Sequence, residues 1–188
     1  MSLLTLRLPH GYRRGMTDAH RPSSEHLDAA LPPRARAVVA ALRAAGAEGE
    51  VREFDESTHT AAQAAAALGC EVGAIASSLV FHSGGEALLV LTSGAHRVDT
   101  DLVASTLGRG PIMRANADQV KRATGQAIGG VAPVGHPSPV RTLVDTALET
   151  HDVLWASAGT ANTVFATTFA ELVRVTGGTP ARVASDDL

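Results

Sequence analysis

Residues 75–94, which read IASSLVFHSGGEALLVLTSG, decide the fold class of this chain. Two apolar runs, at 75–82 and 87–92, flank a short connection that contains Gly84 and Gly85. Apolar runs of this length joined by a brief glycine-containing segment indicate two antiparallel strands and a tight turn. The centre of the chain is therefore predicted to form a β-hairpin.

Outward from this hairpin, further apolar runs bounded by turn residues predict additional short strands. They lie at 51–54, 112–115, 141–145, 153–158 and 163–166. About seven strands are thus predicted beside about five helices, and the two kinds of element do not alternate strictly. This order predicts an α+β domain with a mixed, mostly antiparallel sheet rather than a doubly wound parallel one.

The predicted helices carry clear start and stop signals. Prolines open the first helix, at 33–45, Asp99 caps another that ends before Gly108, and glycines follow the rest. Three helices begin at the spacing of a capping box, in which a side-chain oxygen and a residue three positions later satisfy free amides at the helix start. These boxes are Thr60 with Gln63, Asn116 with Gln119, and Thr168 with Glu171.

Composition excludes several classes of protein. The chain has 188 residues, 45% of them hydrophobic and 19% charged, which is typical of a globular domain. Its net charge of −3 and 3% aromatic content argue against a protein that coats nucleic acid by bulk charge or base stacking. No apolar stretch reaches the roughly 20 residues of a membrane span, and we expect a cytoplasmic protein. We expect a flexible leader at 1–30, the domain at 31–178 and a polar tail at 179–188.

The segment 125–136, GQAIGGVAPVGH, is unusual because it is rich in glycine yet otherwise mostly apolar. Such a segment either forms a tight buried turn or lets its backbone approach another group closely. It lacks the lysine of a phosphate-binding loop and the spacing of a dinucleotide fingerprint. No metal-binding motif such as His-Glu-x-x-His or Cys-x-x-Cys occurs, so we expect neither a metal nor an organic cofactor.

In order along the chain, several pieces resemble the YbaK/prolyl-tRNA editing-domain family of aminoacyl-tRNA deacylases. The resemblance runs from about residue 33 to 174 and rests on 60–69, 75–81, 88–94, 97–99, 124–125 with 129–133, 143–145 and 158–159. It implies a curved, mostly antiparallel sheet flanked by helices. It also implies hydrolysis, in trans, of the ester that joins a wrong amino acid to the acceptor end of a tRNA.

The resemblance also implies site residues. It assigns the catalytic part to Gly129, Gly130, Val131, Ala132, Pro133 and the position of Ser77. His136 is added as a catalytic candidate because it directly follows the loop and histidine can act as a base near neutral pH. It assigns substrate binding to Thr60, Ser78, Asp145 and Gly159. Backbone amides of the glycine-rich loop would stabilise the oxyanion of the reaction. His136 is either a base or a packing residue, and Asp145 either holds the substrate amino group or caps the following turn.

Ser77 is the main departure, because the family usually has lysine there. Two interpretations stay open: a divergent deacylase that uses other groups, or a member that binds charged tRNA without efficient hydrolysis. A hydrolase for another small aminoacyl ester or amide is a third. Small residues around Ser77 indicate a small amino acid such as Ala, Ser, Thr or Cys. Basic residues on the predicted surface either contact phosphates or form a solvated face. They are Arg34, Arg36, Arg43, Arg109, Arg114, Lys121 and Arg122.

Overall fold

A computed structural model describes residues 31–54 and 60–185. The predicted leader at 1–30 lies outside these residues. The unit that begins at Pro32 is an α+β domain, as predicted, with five α-helices and one mixed sheet of eight strands in its described part. Across the described ranges, no helix combines the length and the apolar composition needed to span a bilayer.

The helices begin and end close to their predicted positions. They are α1 (Pro33–Ala44), α2 (Ala61–Leu68), α3 (Thr100–Leu107), α4 (Ala117–Thr124) and α5 (Phe169–Thr176). Both capping boxes at the starts of α2 and α4 are complete. The third is half formed: the Thr168 hydroxyl accepts from the Glu171 amide, but the Glu171 carboxylate accepts from the Thr167 hydroxyl at 2.7 Å. Short 3-10 turns occur at Val72–Ala74 and Thr146–Thr150.

The eight strands form one sheet in the order β1-β7-β6-β2-β3-β5-β8, and β4 pairs with β2 beside this path. Their bounds are β1 (Val51–Glu53), β2 (Ile75–Ser83), β3 (Glu86–Ser93), β4 (Met113–Arg114), β5 (Arg141–Asp145), β6 (Leu154–Ser157), β7 (Thr163–Thr167) and β8 (Thr179–Ala181). Four pairings are antiparallel, and β2–β6, β3–β5 and β5–β8 are parallel.

The predicted hairpin is confirmed as β2 and β3, which pair from Ala76–Ser93 to Ser83–Glu86. Gly84 and Gly85 have φ of 58° and 86°. Two successive positive φ values identify a type I′ turn, whose twist matches that of the flanking strands. This hairpin forms the centre of the sheet, and the candidate site lies along its first strand.

The predicted polar tail is corrected over its first half. Thr179–Ala181 form β8, which pairs in parallel with β5, and Val183 beyond it is fully buried. Three residues that include Pro180 carry no strand pattern of their own, and proline is tolerated because β8 lies at the sheet edge. The strand is held by pairing with a partner 36 residues earlier, Leu143↔Thr179, which local sequence cannot reveal.

Both faces of the sheet are buried. On one face, Val80, Leu89 and Phe165 pack against α1, α5 and the glycine-rich loop. On the other face, Phe81 and Val90 pack against α3, while α2 covers Ile75 and Trp155. The site therefore opens between elements that belong to different core clusters.

Candidate active site

The candidate active site begins with a gap in the sheet. The same edge of β2 pairs with β6 at Ile75 and Ala76 and with β4 at Phe81 and His82, which leaves 77–79 between them without a described backbone partner on that side. A pocket of about 240 Å³ occupies this gap.

Ser78 points its backbone groups into the gap. The Ile75 carbonyl accepts from the amide of Gly94, which directly follows β3, so it lies on the edge of β2 that faces β3. The Val80 carbonyl accepts from the Ala115 amide at 3.0 Å on the opposite edge. Because the backbone groups of a strand alternate between its two edges, those of Ser78 lie on the same edge as those of Val80. A ligand in the pocket can therefore hydrogen bond to the strand itself.

The Ser78 hydroxyl strengthens this inference. Its Oγ is buried and has no hydrogen-bond partner among the described residues, although Ser78 lines the pocket. An unsatisfied buried hydroxyl is unfavourable by about 1–3 kcal/mol. A substrate atom that pairs with Ser78 Oγ would recover that free energy on binding.

The remaining walls come from three elements. The start of α2 supplies one wall, the loop before residue 132 supplies a second, and the β6–β7 connection with the start of β7 supplies a third. Thr60 is both a pocket residue and the cap of α2, since its Oγ1 accepts from the Gln63 amide at 3.2 Å. Described residues that line these walls include Ala61, Ala64, Val120, Ile128, Gly129, Val131, Ser157, Thr160, Ala161 and Thr163.

The glycine-rich loop contributes a tight turn to the pocket. The Gly130 amide donates to the Ala127 carbonyl at 3.0 Å, and Gly129 has φ of 87° whereas Ile128 has no positive φ. This pattern defines a type II turn, in which the third residue is normally glycine. Ile128, Gly129 and Val131 of this segment line the same pocket as Ser77 and Ser78.

The loop amides that the sequence analysis treats as one group fall into two sets: those that bond within the loop and those of residues that line the pocket. Those of Gly130 and Ala132 are used within the loop, on Ala127 O and on Gln126 Oε1 at 2.6 Å. Gly129 and Val131 line the pocket, so their amides are the candidates for an oxyanion. Ala132 and Pro133 are buried behind them and are not among the residues that line the pocket.

Gln126 is a positioning residue that sequence reasoning missed. Its side chain is buried, and its Nε2 donates to the Val134 carbonyl at 3.2 Å while its Oε1 accepts from Ala132. One amide group thereby ties both halves of the loop together. A glutamine inside an otherwise apolar stretch is the signal that could have identified it, because a buried amide requires partners.

Gly130 approaches protein rather than substrate. A Cβ atom built on Gly130 would lie 2.8 Å from Thr160 Cα, so the loop packs directly on the β6–β7 connection. Gly159, in that connection, has φ of 101°, and a Cβ there would lie 2.7 Å from Val38 Cγ2 of α1. Gly159 therefore supports the pocket wall from behind and does not line the pocket.

His136 lies at the exit of the loop, outside the pocket lining. Its Nε2 lies 2.9 Å from the Ala132 carbonyl oxygen, so this nitrogen carries a proton and donates. Burial lowers the pKa of His136 below its ordinary value, which favours the neutral ring. The contacts agree with the packing interpretation, in which His136 holds the backbone of Ala132.

Asp145 is placed away from the pocket. Its carboxylate, 1% exposed, accepts from the Thr92 hydroxyl, the Ser93 amide and His96 Nδ1. It also accepts from the Ala147 amide at 3.1 Å, which caps the turn after β5. The structure therefore does not bring Asp145 to the predicted substrate-binding residues, and its contacts are those of the capping interpretation.

The basic residues divide into engaged and unengaged groups. Arg109 forms an ion pair with Glu86, and Arg36 and Arg43 have partners of their own. Arg114 lines the pocket.

In the parts of the chain that the structure describes, no cluster of three or more His, Cys, Asp or Glu side chains is placed to hold a metal ion.

The fold is that of an editing domain, as comparison with known proteins shows. A family model described as the aminoacyl-tRNA editing domain matches residues 55–175. The chain belongs to this family, and the resemblance to the YbaK group is confirmed.

Three relatives illustrate the similarity. A solved structure named as a candidate trans-editing enzyme for prolyl-tRNA synthetase is 40% identical, with a TM-score of 0.78, and the match covers 82% of this chain and 99% of that one. The uncharacterised protein YwhH of Bacillus subtilis is 30% identical over 126 residues, 66% of this chain and 80% of that protein. The proline–tRNA ligase of Bacillus licheniformis is 32% identical over 109 residues, 56% of this chain and 19% of that protein.

Proposed function

We propose that this protein is an aminoacyl-tRNA deacylase that acts in trans and hydrolyses the ester of a tRNA mischarged with a small amino acid. A tRNA that accepts proline is the first candidate partner. The similarity to a candidate trans-editing enzyme and to part of a proline–tRNA ligase supports that choice.

The observation that carries the proposal is the pocket in the gap of the sheet. Its volume of about 240 Å³ lies below the roughly 300–1,000 Å³ of sites for drug-sized molecules. Ala, Ser, Thr and Gly make up twelve of the described lining residues, beside eight larger apolar side chains and Arg114, and this predominance of small residues suits a short amino acid side chain. The exposed backbone edge of Ser78 and its unpartnered hydroxyl suit the polar amino and carbonyl groups of an aminoacyl ester.

The reaction requires stabilisation of an oxyanion. Water attacks the ester carbonyl carbon, negative charge develops on the carbonyl oxygen, and the bond to the ribose oxygen then breaks as that oxygen takes a proton. The amides of Gly129 and Val131 are candidate donors to the oxyanion. Loss of one such donor typically reduces the rate by about 10²–10³.

Activation of the water is assigned to the substrate. Among the described residues, no histidine, cysteine or carboxylate side chain lines the pocket. The free hydroxyl beside the esterified position of the terminal ribose is close to the reacting carbonyl by covalent connection. We assign two roles to this free hydroxyl: it orients the attacking water, and it passes the water's proton to the departing ribose oxygen.

The second candidate function is binding of aminoacyl-tRNA without efficient hydrolysis. The same lack of a titratable acid or base among the described lining residues favours it, as does Ser77 at the position where the resemblance leads us to expect lysine. In this case the pocket would recognise the charged end and protect or deliver it.

A charged-tRNA panel tests the proposal. One tRNA that accepts proline is charged in turn with Ala, Ser, Thr, Cys, Pro, Val and Phe, and release is measured under single-turnover conditions with and without EDTA. We expect hydrolysis of at least one of the four smallest, no release of Phe, and no effect of EDTA. Equal release of all seven would contradict selection by the pocket. No release from any of them, with binding retained, would support the second function.

A further inference from the structure

Among the described residues that line the pocket, one side chain is cationic and none is anionic. Among the described residues that line it, Arg114 is the one with an ionisable side chain, and the other lining residues are apolar, hydroxyl-bearing or glycine. Arg114 is exposed and makes no ion pair or side-chain hydrogen bond within the described part of the chain. A cation at the mouth of a neutral pocket, in a chain of net charge −3, favours an anionic group on the ligand.

The register of the sheet places Arg114 on the same face as Ser77, and both residues line the pocket. Arg114 lies opposite Phe81 in the β2–β4 pairing, and directly opposed residues project from the same face. Ser77, four residues before Phe81 on β2, projects from that face too, because alternate residues of a strand share a face. Arg114 and Ser77 thus flank the same side of the gap.

Arg109, which precedes β4 in the chain, is already engaged. The Arg109 guanidinium, five residues earlier, pairs with the Glu86 carboxylate. Lys121, which follows the pocket residue Val120 on α4, is exposed but is not among the residues that line the pocket. Asp118 is also exposed on α4, but forms no ion pair with Arg114 or Lys121 in the described structure.

We infer that Arg114 binds a phosphate of the terminal nucleotides of the RNA and thereby sets the depth at which the aminoacyl ester enters the pocket. The inference rests on the proposed function and assigns to Arg114 a positioning role. An aminoacyl ester carries no negative charge itself, so the nearest anions in such a substrate are the phosphodiesters next to the terminal ribose. A guanidinium suits them because it donates two parallel hydrogen bonds to one phosphate.

The test compares two substrates that differ in phosphate. One is an alanylated minihelix of the acceptor stem with its single-stranded end, and the other is alanyl-adenosine, which has the same ester and no phosphate. Wild type is compared with Arg114→Gln, Arg114→Lys and the control Arg109→Gln, which removes an equal charge from an arginine paired with Glu86. Thermal melting establishes that each variant is folded.

We expect Arg114→Gln to lower kcat/KM on the minihelix about tenfold or more, chiefly through KM, because a charge-assisted hydrogen bond is lost. On alanyl-adenosine the variant should stay within about twofold of wild type. Arg114→Lys should restore part of the loss, and Arg109→Gln should resemble wild type. For the minihelix without an attached amino acid, the slope of log affinity against log salt should be shallower by about 0.7 in Arg114→Gln than in wild type, which is the value for one single-stranded phosphate.

Equal losses on both substrates would overturn the inference and place Arg114 on the ester. An unchanged minihelix KM and salt slope would also overturn it. If wild type hydrolyses neither substrate, the proposed function fails, and the salt slope of uncharged minihelix binding still decides whether Arg114 contacts phosphate.

Discussion

Replacement of Gln126 by leucine should loosen the glycine-rich loop while keeping the volume of the side chain. The change removes the acceptor of the Ala132 amide and the donor to the Val134 carbonyl. Ala132 is fully buried, so its unpaired amide costs about 1–3 kcal/mol. Val134 is half-buried, and its lost hydrogen bond adds about 0.5–1.5 kcal/mol. The free energy of unfolding should therefore fall by about 1.5–4.5 kcal/mol.

The same change should reduce hydrolysis more than stability alone explains. The amides of Gly129 and Val131 depend on the turn that Gln126 anchors, so the single-turnover rate of the folded variant should fall by at least tenfold. Urea unfolding at pH 7.5 gives the free energy, and the rate is measured well below the melting temperature. Gln119→Leu is the matched control, because it removes one side-chain bond, to the Asn116 amide, at an exposed helix cap. That control should lose about 0.5–1 kcal/mol and keep its rate.

A Gln126→Leu variant that is as stable and as active as the control would contradict the anchoring role of Gln126. Such a result would show that the loop keeps its geometry without the glutamine. Loss of stability with an unchanged rate would keep the structural claim but remove the loop amides from catalysis.

Three further changes have expected outcomes. Gly130→Ala should destabilise by about 1–3 kcal/mol, because its Cβ would meet the Thr160 backbone, whereas Gly110→Ala, with open space around it, should stay within about 0.5 kcal/mol in urea unfolding. Burial lowers the pKa of His136 from 6.5, so the unfolded chain binds a proton more readily than the folded chain does. The free energy of unfolding should therefore fall as pH drops below about 6.5. His136→Gln should flatten that decline between about pH 7.5 and 5.5, and an identical slope in wild type and variant would contradict this. Ser78→Ala should keep or raise stability, since it removes an unpartnered buried hydroxyl, yet slow single-turnover hydrolysis; equal rates would remove the Ser78 hydroxyl from substrate binding.

The elements that local sequence determines were predicted well. The hairpin follows from its paired glycines, and the starts of α2 and α4 follow from side chains that bond amides three residues away. Each of these features depends on a few neighbouring residues. Of the segment 129–133, which the glycines and the family resemblance together predict to be catalytic, Gly129 and Val131 line the pocket.

The features that depend on distant partners could not be predicted from pattern. The pocket exists because β4 and β6 pair with separate parts of one edge of β2, and no local motif encodes that spacing. Asp145 follows a strand as expected, yet its carboxylate is taken by Ser93 and His96, about fifty residues earlier. The sequence predicts a catalytic role for Gly130, but not that a Cβ atom there would lie 2.8 Å from Thr160 Cα.

The most direct test of the central claim measures binding and ester release on one sample. Alanylated tRNA that accepts proline is mixed with excess protein, and bound RNA and free alanine are followed over the same time course. Deacylase function predicts that alanine is released with first-order kinetics. The rate constant should rise with protein concentration and level off as the bound fraction of the RNA saturates. Saturated binding with alanine released no faster than in protein-free buffer would contradict it.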